Sequence, residues 1–366
     1  MTATAKVEEP AAPAPSRRNN KGGGGSRYGV LLRYLGVRAL LIVPTAWILV
    51  TVVFFLMRVI GDPITAAVGG RLPADQIEAR KEAAGFNRPI LVQYWDYLTD
   101  LVRLDFGRTQ DNRVVTDVVL TYGAATVELV FWSLLIAFAV GIPLGRYAAT
   151  HRDSSSDVGL RLFAILAYAA PVFFVGLVLK LIFAVKLGWL PASGRASAGV
   201  ELDLMHVSPK TNILVIDAIL YGDMGHLADV LKHAVLPAIS LGLLTGGVFL
   251  RLVRVNLIQT LRSDYVDAAR ARGLSQRTVT GRHAFRNALI PVVTVMGMQV
   301  AMLLGGAVLT ERTFNWPGLG YQLAEYLSSR DFIAVQGIVA FIAVLVAVTS
   351  FLIDVVVALV DPRVRF

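Results

Sequence analysis

Six apolar stretches dominate this chain: Ala39 to Met57, Ala124 to Leu144, Leu162 to Leu179, Ala234 to Leu250, Ala288 to Thr310 and Phe332 to Ile353. Each has about the length, roughly 20 residues, that a helix needs to cross roughly 30 Å of hydrocarbon. Inside a bilayer the backbone must satisfy its own hydrogen bonds, so runs of this kind predict an all-α membrane protein with six transmembrane helices. Glu128 lies near one end of the second run, and the fourth is short unless it continues past Arg251, whose long side chain can snorkel. Over the whole chain hydrophobic residues make up 55% and charged residues 17%, the balance of a protein solvated by lipid.

Where the basic residues fall sets the orientation. The net charge of +9 raises the question of nucleic acid, but in a membrane protein the side of the bilayer holding Lys and Arg comes first. Met1 to Arg38 carries seven basic and two acidic residues, a net +5, which predicts a cytoplasmic N-terminus. Six spans return the C-terminus to that side. Arg251 to Arg286 holds eight arginines against Asp264 and Asp267, a net +6, and is expected inside as well. The long loop 61–120, with nine acids and seven bases, is expected outside.

Residues 1–32 are rich in Pro, Ala and Gly and read as a disordered basic tail, leaving 33–366 as the six-helix domain. The twin arginines Arg17 and Arg18 are not followed by an apolar run, so an export signal is disfavoured. In the outer loop, Ile90, Leu91, Tyr94, Tyr97, Leu98, Leu101 and Leu104 have helical spacing and predict an amphipathic helix lying on the membrane or on neighbouring helices. After a turn at Pro317 and Gly318, Leu319, Leu323, Tyr326 and Leu327 predict a second helix with one apolar face.

Enzyme chemistry finds no footing. There is no cysteine, the five histidines lack ligand spacing, and no phosphate-binding glycine loop is followed by Lys and Ser or Thr. The chain is therefore expected to bind no cofactor and to hydrolyse no ATP. Small residues recur at one-turn spacing, Gly242 and Gly246 in the fourth run and Gly297, Ala301 and Gly305 in the fifth, a pattern that lets helices approach closely. Gln299 stands among the last three as an amide that must pair or face water, a candidate for helix packing or for a solute pathway. Lys180, Asp354 and Glu128 lie near span ends, where snorkelling or interfacial hydration accounts for them. No buried charge pair and no internal repeat is visible, which disfavours an ion-coupled carrier.

The arginine-rich segment 254–286 is patterned as well as charged. Ser263 or Asp264 can cap a short helix that Asp267 favours through the dipole, and Gly273 stands where a left-handed residue would end it. Ser275 restarts a helix feeding the fifth run. Ala268 and Ala269 give the first helix a slim face suited to another protein's groove. Contact with anionic lipid explains part of the charge but not this order of residues.

"DAARARG", Asp267 to Gly273, resembles the cytoplasmic Glu-Ala-Ala-x-x-x-Gly motif of integral permeases in binding-protein-dependent ABC importers, with Asp for Glu and a longer interval from Gly273 to Pro291 than the general pattern has. "ARARGLSQRTVTGRHAFRNALIPVV", "TERTFNWPGLGYQL", "RDFIAVQG" and "DPRVR" are similar to the peptide and nickel branch. The resemblance runs from about Arg33 to the C-terminus. It implies a type I ABC importer permease fold, with Asp264, Asp267, Ala268, Ala269, Arg272, Gly273 and Leu274 in a helix that couples to an ATPase. It also implies a second homologous permease subunit, two cytoplasmic ATPase subunits holding ATP and Mg, an extracytoplasmic solute-binding protein, and a bacterial plasma (inner) membrane. Peptide is favoured over nickel because the runs have few metal-ligand types; nucleic acid is not an expected partner. "EAAG" at Glu82 to Gly85 shares letters with the motif but falls in the loop expected outside.

Overall fold

The computed structural model describes residues 27–60, 65, 73–83 and 85–360. The expected tail therefore lies almost wholly outside the described residues, as do residues 361–366 and part of "EAAG". In chain order the helices are α1 (Arg27–Ile60), α2 (Ala74–Ala83), α3 (Ile90–Val102), α4 (Val115–Thr150), α5 (Ser155–Ala169), α6 (Val172–Lys186), α7 (Ala198–Leu204) and α8 (Leu214–Tyr221). They continue as α9 (Met224–Thr260), α10 (Asp264–Ala271), α11 (Gln276–Ala288), α12 (Ile290–Thr313), α13 (Leu319–Ser328) and α14 (Phe332–Val360). Among the described residues the only extended pairing is an isolated bridge between Arg108 and Val114.

Among the described residues four helices, α1, α4, α9 and α14, hold a stretch long and apolar enough to cross a membrane alone. The total reaches six when the bent pairs α5–α6 and α11–α12 each count as one span, with bends of 105° and 44°. The expectation of a continuous third helix is thereby corrected. Pro171 lacks the N–H that would continue the ladder, and Ala170 before it is extended at ψ 131°. In the fifth span the break falls at Leu289, with Pro291 in the first turn of α12, where a missing N–H costs nothing.

At its centre α4 lies against α9. Here the fourth run's small residues have a clear purpose: a Cβ on Gly242 would stand 2.6 Å from the Ser133 carbonyl oxygen, and one on Gly141 2.6 Å from that of Gly246. Hydrogen in place of a side chain on both helices lets the backbones meet. Both helices outlast the bilayer; at 1.5 Å per residue, 36 and 37 residues measure about 55 Å. α14 closes the bundle against α1 and α12, with Arg38 and Asp354 paired at 3.3 Å.

Both predicted loop helices form. α3 rests on α1, where Tyr94 hydrogen-bonds Thr51 at 2.6 Å and Gln93 accepts from Arg58 at 2.7 Å. α13 buries Leu319 and Tyr326 among Val115, Val118, Val335 and Ile338. Leu327, expected on that face, is instead 52% exposed.

Candidate functional site

At the arginine-rich end, α9 runs on to Thr260, the chain turns at Leu261 to Ser263, and α10 begins. Ser263 holds the N-cap backbone geometry, but its hydroxyl donates back to the Thr260 carbonyl at 2.5 Å. Charge stabilises this helix start instead, with Asp264 and Asp267 in the first turn. Asp267 also accepts from Arg270 at 2.8 Å.

Gly273 adopts φ +76°, and the stop is a paired one. Its N–H donates to the Arg270 carbonyl at 2.9 Å and that of Leu274 to the Ala269 carbonyl at 3.4 Å. These two bonds form a Schellman motif, which an L-residue at the left-handed position strains. Ser275 then caps α11 by accepting from the Thr278 N–H. Residues 279–284 of α11 form a π-helical turn before α12 follows.

α10 has two faces. Val266 and Ala269 are buried in a small core with Ala149 of α4, Leu257 of α9 and Val279, Ala284 and Ala288 of α11. Asp264, Tyr265, Asp267, Ala268, Arg270, Arg272, Gly273 and Leu274 are exposed. The expected slim outward face must be corrected at Ala269, which supports α10 from within. Asn287 of α11 donates to the Tyr265 hydroxyl at 2.9 Å, and the Arg146 guanidinium of α4 lies 5.1 Å from the Phe285 ring centre.

A buried ion pair lies close by, though none was expected. Arg254 of α9 grips Asp157 of α5 through both carboxylate oxygens, at 2.6 and 2.7 Å, and Asp157 is wholly buried. Its carboxylate also accepts from the Asp153 N–H at 3.0 Å, so the α4–α5 turn is tied to the helix that carries α10.

A second buried pair sits at the opposite end. Glu128, expected to be hydrated at a span end, is only 3% exposed and pairs with Arg195, 7% exposed. Glu128 also accepts from the N–H groups of Leu214 and Val215 at the start of α8, each at 3.2 Å. Arg195 donates to the Asn212 carbonyl at 2.9 Å and stacks near the Trp316 ring, whose Nε1 donates to the Ala125 carbonyl at 2.9 Å. Next to it, Glu311 accepts from the Thr126 hydroxyl at 2.7 Å and the Tyr321 N–H at 2.8 Å. Three connections thus converge on one turn of α4. Sequence reasoning missed this because Arg195 is 67 residues from its partner, in a stretch with no apolar periodicity.

The other candidates separate. A Cβ on Gly297 would meet Ile353 of α14 at 2.7 Å, so this residue serves packing within the chain. Ala301 is half-buried, while Gly305 is exposed with nothing near a would-be Cβ. Gln299 is buried, and its amide donates to Met302 Sδ at 4.0 Å on its own helix rather than across to another.

The fold is that of a multi-pass, all-α membrane protein with a braced helix–turn–helix at its arginine-rich end. Residues 141–366 match the family described as binding-protein-dependent transport system inner membrane component, and residues 31–141 match the N-terminal part of such components. The chain belongs to this family; it is a membrane component of a transport system and not an enzyme. It is 39% identical over 339 residues to the di/tripeptide transport system permease protein DppB of Pseudomonas aeruginosa (strain UCBPP-PA14), covering 92% of this chain and 99% of that one. To the dipeptide transport system permease protein DppB of Escherichia coli (strain K12) it is 37% identical, covering 92% and 98%. To the glutathione transport system permease protein GsiC of Salmonella choleraesuis (strain SC-B67) it is 32% identical, covering 92% and 100%. Among solved structures, a chain of the inward-facing MetNI methionine ABC transporter is similar at a TM-score of 0.47 and 15% identity, covering 66% of this chain and 96% of that chain.

Proposed function

We propose that the chain is a permease subunit of an ATP-driven importer of di- and oligopeptides in a bacterial plasma membrane, its termini and arginine-rich segment cytoplasmic. It forms half of a translocation pathway with a second, homologous permease. Two cytoplasmic ATPases bind ATP and Mg, and an external solute-binding protein delivers the peptide. The observation that carries this reading is α10: a short helix exposed on one face, cored on the other, and ended by a left-handed glycine. Its full-length relatives named as di- and tripeptide permeases favour peptide as the solute.

α10 is the coupling helix, and Asp264, Asp267, Ala268, Arg272, Gly273 and Leu274 form the edge it offers to an ATPase. Motion delivered there passes into α9 and α11 through the shared core and to α5 through Arg254 and Asp157. Alternate access needs two states only a few kcal/mol apart, so a stiff connection suffices to bias them.

The reading is tested in proteoliposomes holding the chain with its partner permease and ATPases. Labelled di- and tripeptide uptake is expected only with ATP and the binding protein together, and nickel uptake is not expected. Uptake by the chain alone on an ion gradient would show a secondary carrier instead.

The two alanines of α10 separate docking from folding. Ala269→Leu overfills the core beneath the helix and is expected to destabilise the chain by about 1–3 kcal/mol, read as a lower unfolding midpoint in detergent. Ala268→Leu is expected to leave the midpoint in place and weaken ATPase retention in pull-down. Equal midpoints for the two variants would contradict the division of faces.

A further inference from the structure

α3 divides into three arcs, and among the described residues only one of them is occupied by protein. Gln93, Tyr94 and Tyr97 face α1, through the hydrogen bonds to Arg58 and Thr51 and the stacking of Tyr97 on Phe54 at 5.3 Å. Asp96, Asp100 and Arg103 are exposed and form a charged arc. Leu91, Trp95, Leu98 and Val102, at steps of four, three and four residues, form an apolar arc on the remaining side. Leu91 is 72% exposed, Trp95 70% and Val102 85%.

The neighbour identifies what covers that arc. Thr51, Phe54 and Arg58 belong to the apolar membrane-spanning stretch Leu35–Val59, so α3 is fastened beside the last turns of a span. Those same turns expose Val52, Leu56 and Val59, a stripe at helical spacing on a lipid-crossing helix. At 100° per residue the apolar arc of α3 centres about 140° from the charged arc, and the α1 contact fills the remaining side. A helix lying in a membrane surface has this disposition: apolar side to acyl chains, charges to water, and Trp at the boundary.

We propose that α3 is an interfacial helix seated in the leaflet where α1 ends, with Leu91, Trp95 and Val102 inserted at the boundary between headgroups and acyl chains. The long loop 61–120 is therefore held down on the membrane at its middle, and the end of α1 is clamped between lipid and α3. The proposal requires only that the chain spans a bilayer, and it is independent of the solute carried.

The absence of native cysteine makes single-site labelling direct. Trp95→Cys, Val102→Cys and Asp100→Cys are each introduced into the full chain, labelled with a fluorophore and reconstituted in phosphatidylcholine–phosphatidylglycerol vesicles. Labels at 95 and 102 are expected to be quenched several-fold more by lipid carrying a nitroxide high on its acyl chain than the label at 100, and iodide is expected to reverse the order. Equal iodide quenching at all three sites would overturn the proposal. So would a lack of lipid quenching at both 95 and 102; protection of those sites by an added solute-binding protein would then assign the arc to a protein partner. Two label sites on exposed positions guard against the failure of one variant to fold.

Discussion

Arg195→Ala will destabilise the chain by about 3–5 kcal/mol, because removing one member of a buried pair leaves the other charge in a medium that cannot solvate it. Glu128 would keep the two N–H donors of Leu214 and Val215 but lose its counter-charge, while Asn212 loses a donor and Trp316 its stacked guanidinium. The loss should be local before it is global. The connection 187–213 is expected to become the first site of proteolysis, with α8 losing its seat on α4. The unfolding midpoint in detergent and the mapped cleavage site give the measurement. Glu128→Gln combined with Arg195→Met is expected to recover most of the loss, since no charge is left unpaired and the amide oxygen still accepts from Leu214 and Val215. A single variant as stable and as protease-resistant as the parent chain would show that the pair contributes nothing to the fold.

The second large effect falls on transport. Gly273→Val is expected to abolish ATP-driven peptide uptake while the chain still inserts and assembles. A Cβ at this position meets no atom within 4 Å, so crowding is not the reason. The cost is conformational: a left-handed backbone disfavours an L-residue by about 1–2 kcal/mol, and β-branching adds to it. A penalty of that size changes the population of the correctly aimed helix by about 5- to 30-fold. Asn tolerates the left-handed region, so Gly273→Asn is expected to keep most uptake. ATP hydrolysis measured beside uptake separates uncoupling from failed assembly. Full uptake by the valine variant would remove α10 from the transmission of motion.

Local signals made the arginine-rich end legible in the sequence. Acidic residues before a helical stretch, a glycine after it and Ser275 beyond are short-range rules, and the backbone obeys them at Gly273 and Ser275. Even there Ala268 and Ala269 look alike as letters, and only Val266, one turn ahead of Ala269, marks which of the two turns inward. The breaks in the spans were harder to read. Pro44, Pro143 and Pro237 lie inside helices that continue, whereas Pro171 lies at a bend of 105°. Proline forces the question, but neighbouring packing settles it, and packing is not written locally. Both buried ion pairs join residues far apart in the chain, Asp157 with Arg254 and Glu128 with Arg195, so neither side's sequence announces its partner.

The unbroken run of α9 past the apolar stretch has a consequence for anything that engages α10. From Leu250 to Thr260 the helix extends about 15 Å further, which makes it a stalk. Whatever engages α10 therefore meets it at the end of a braced arm, with Val253 and Leu257 of that arm buried against the rest of the chain. Adding or deleting one residue in that stalk would swing α10 by about 100° around the axis, so its length is set in whole turns.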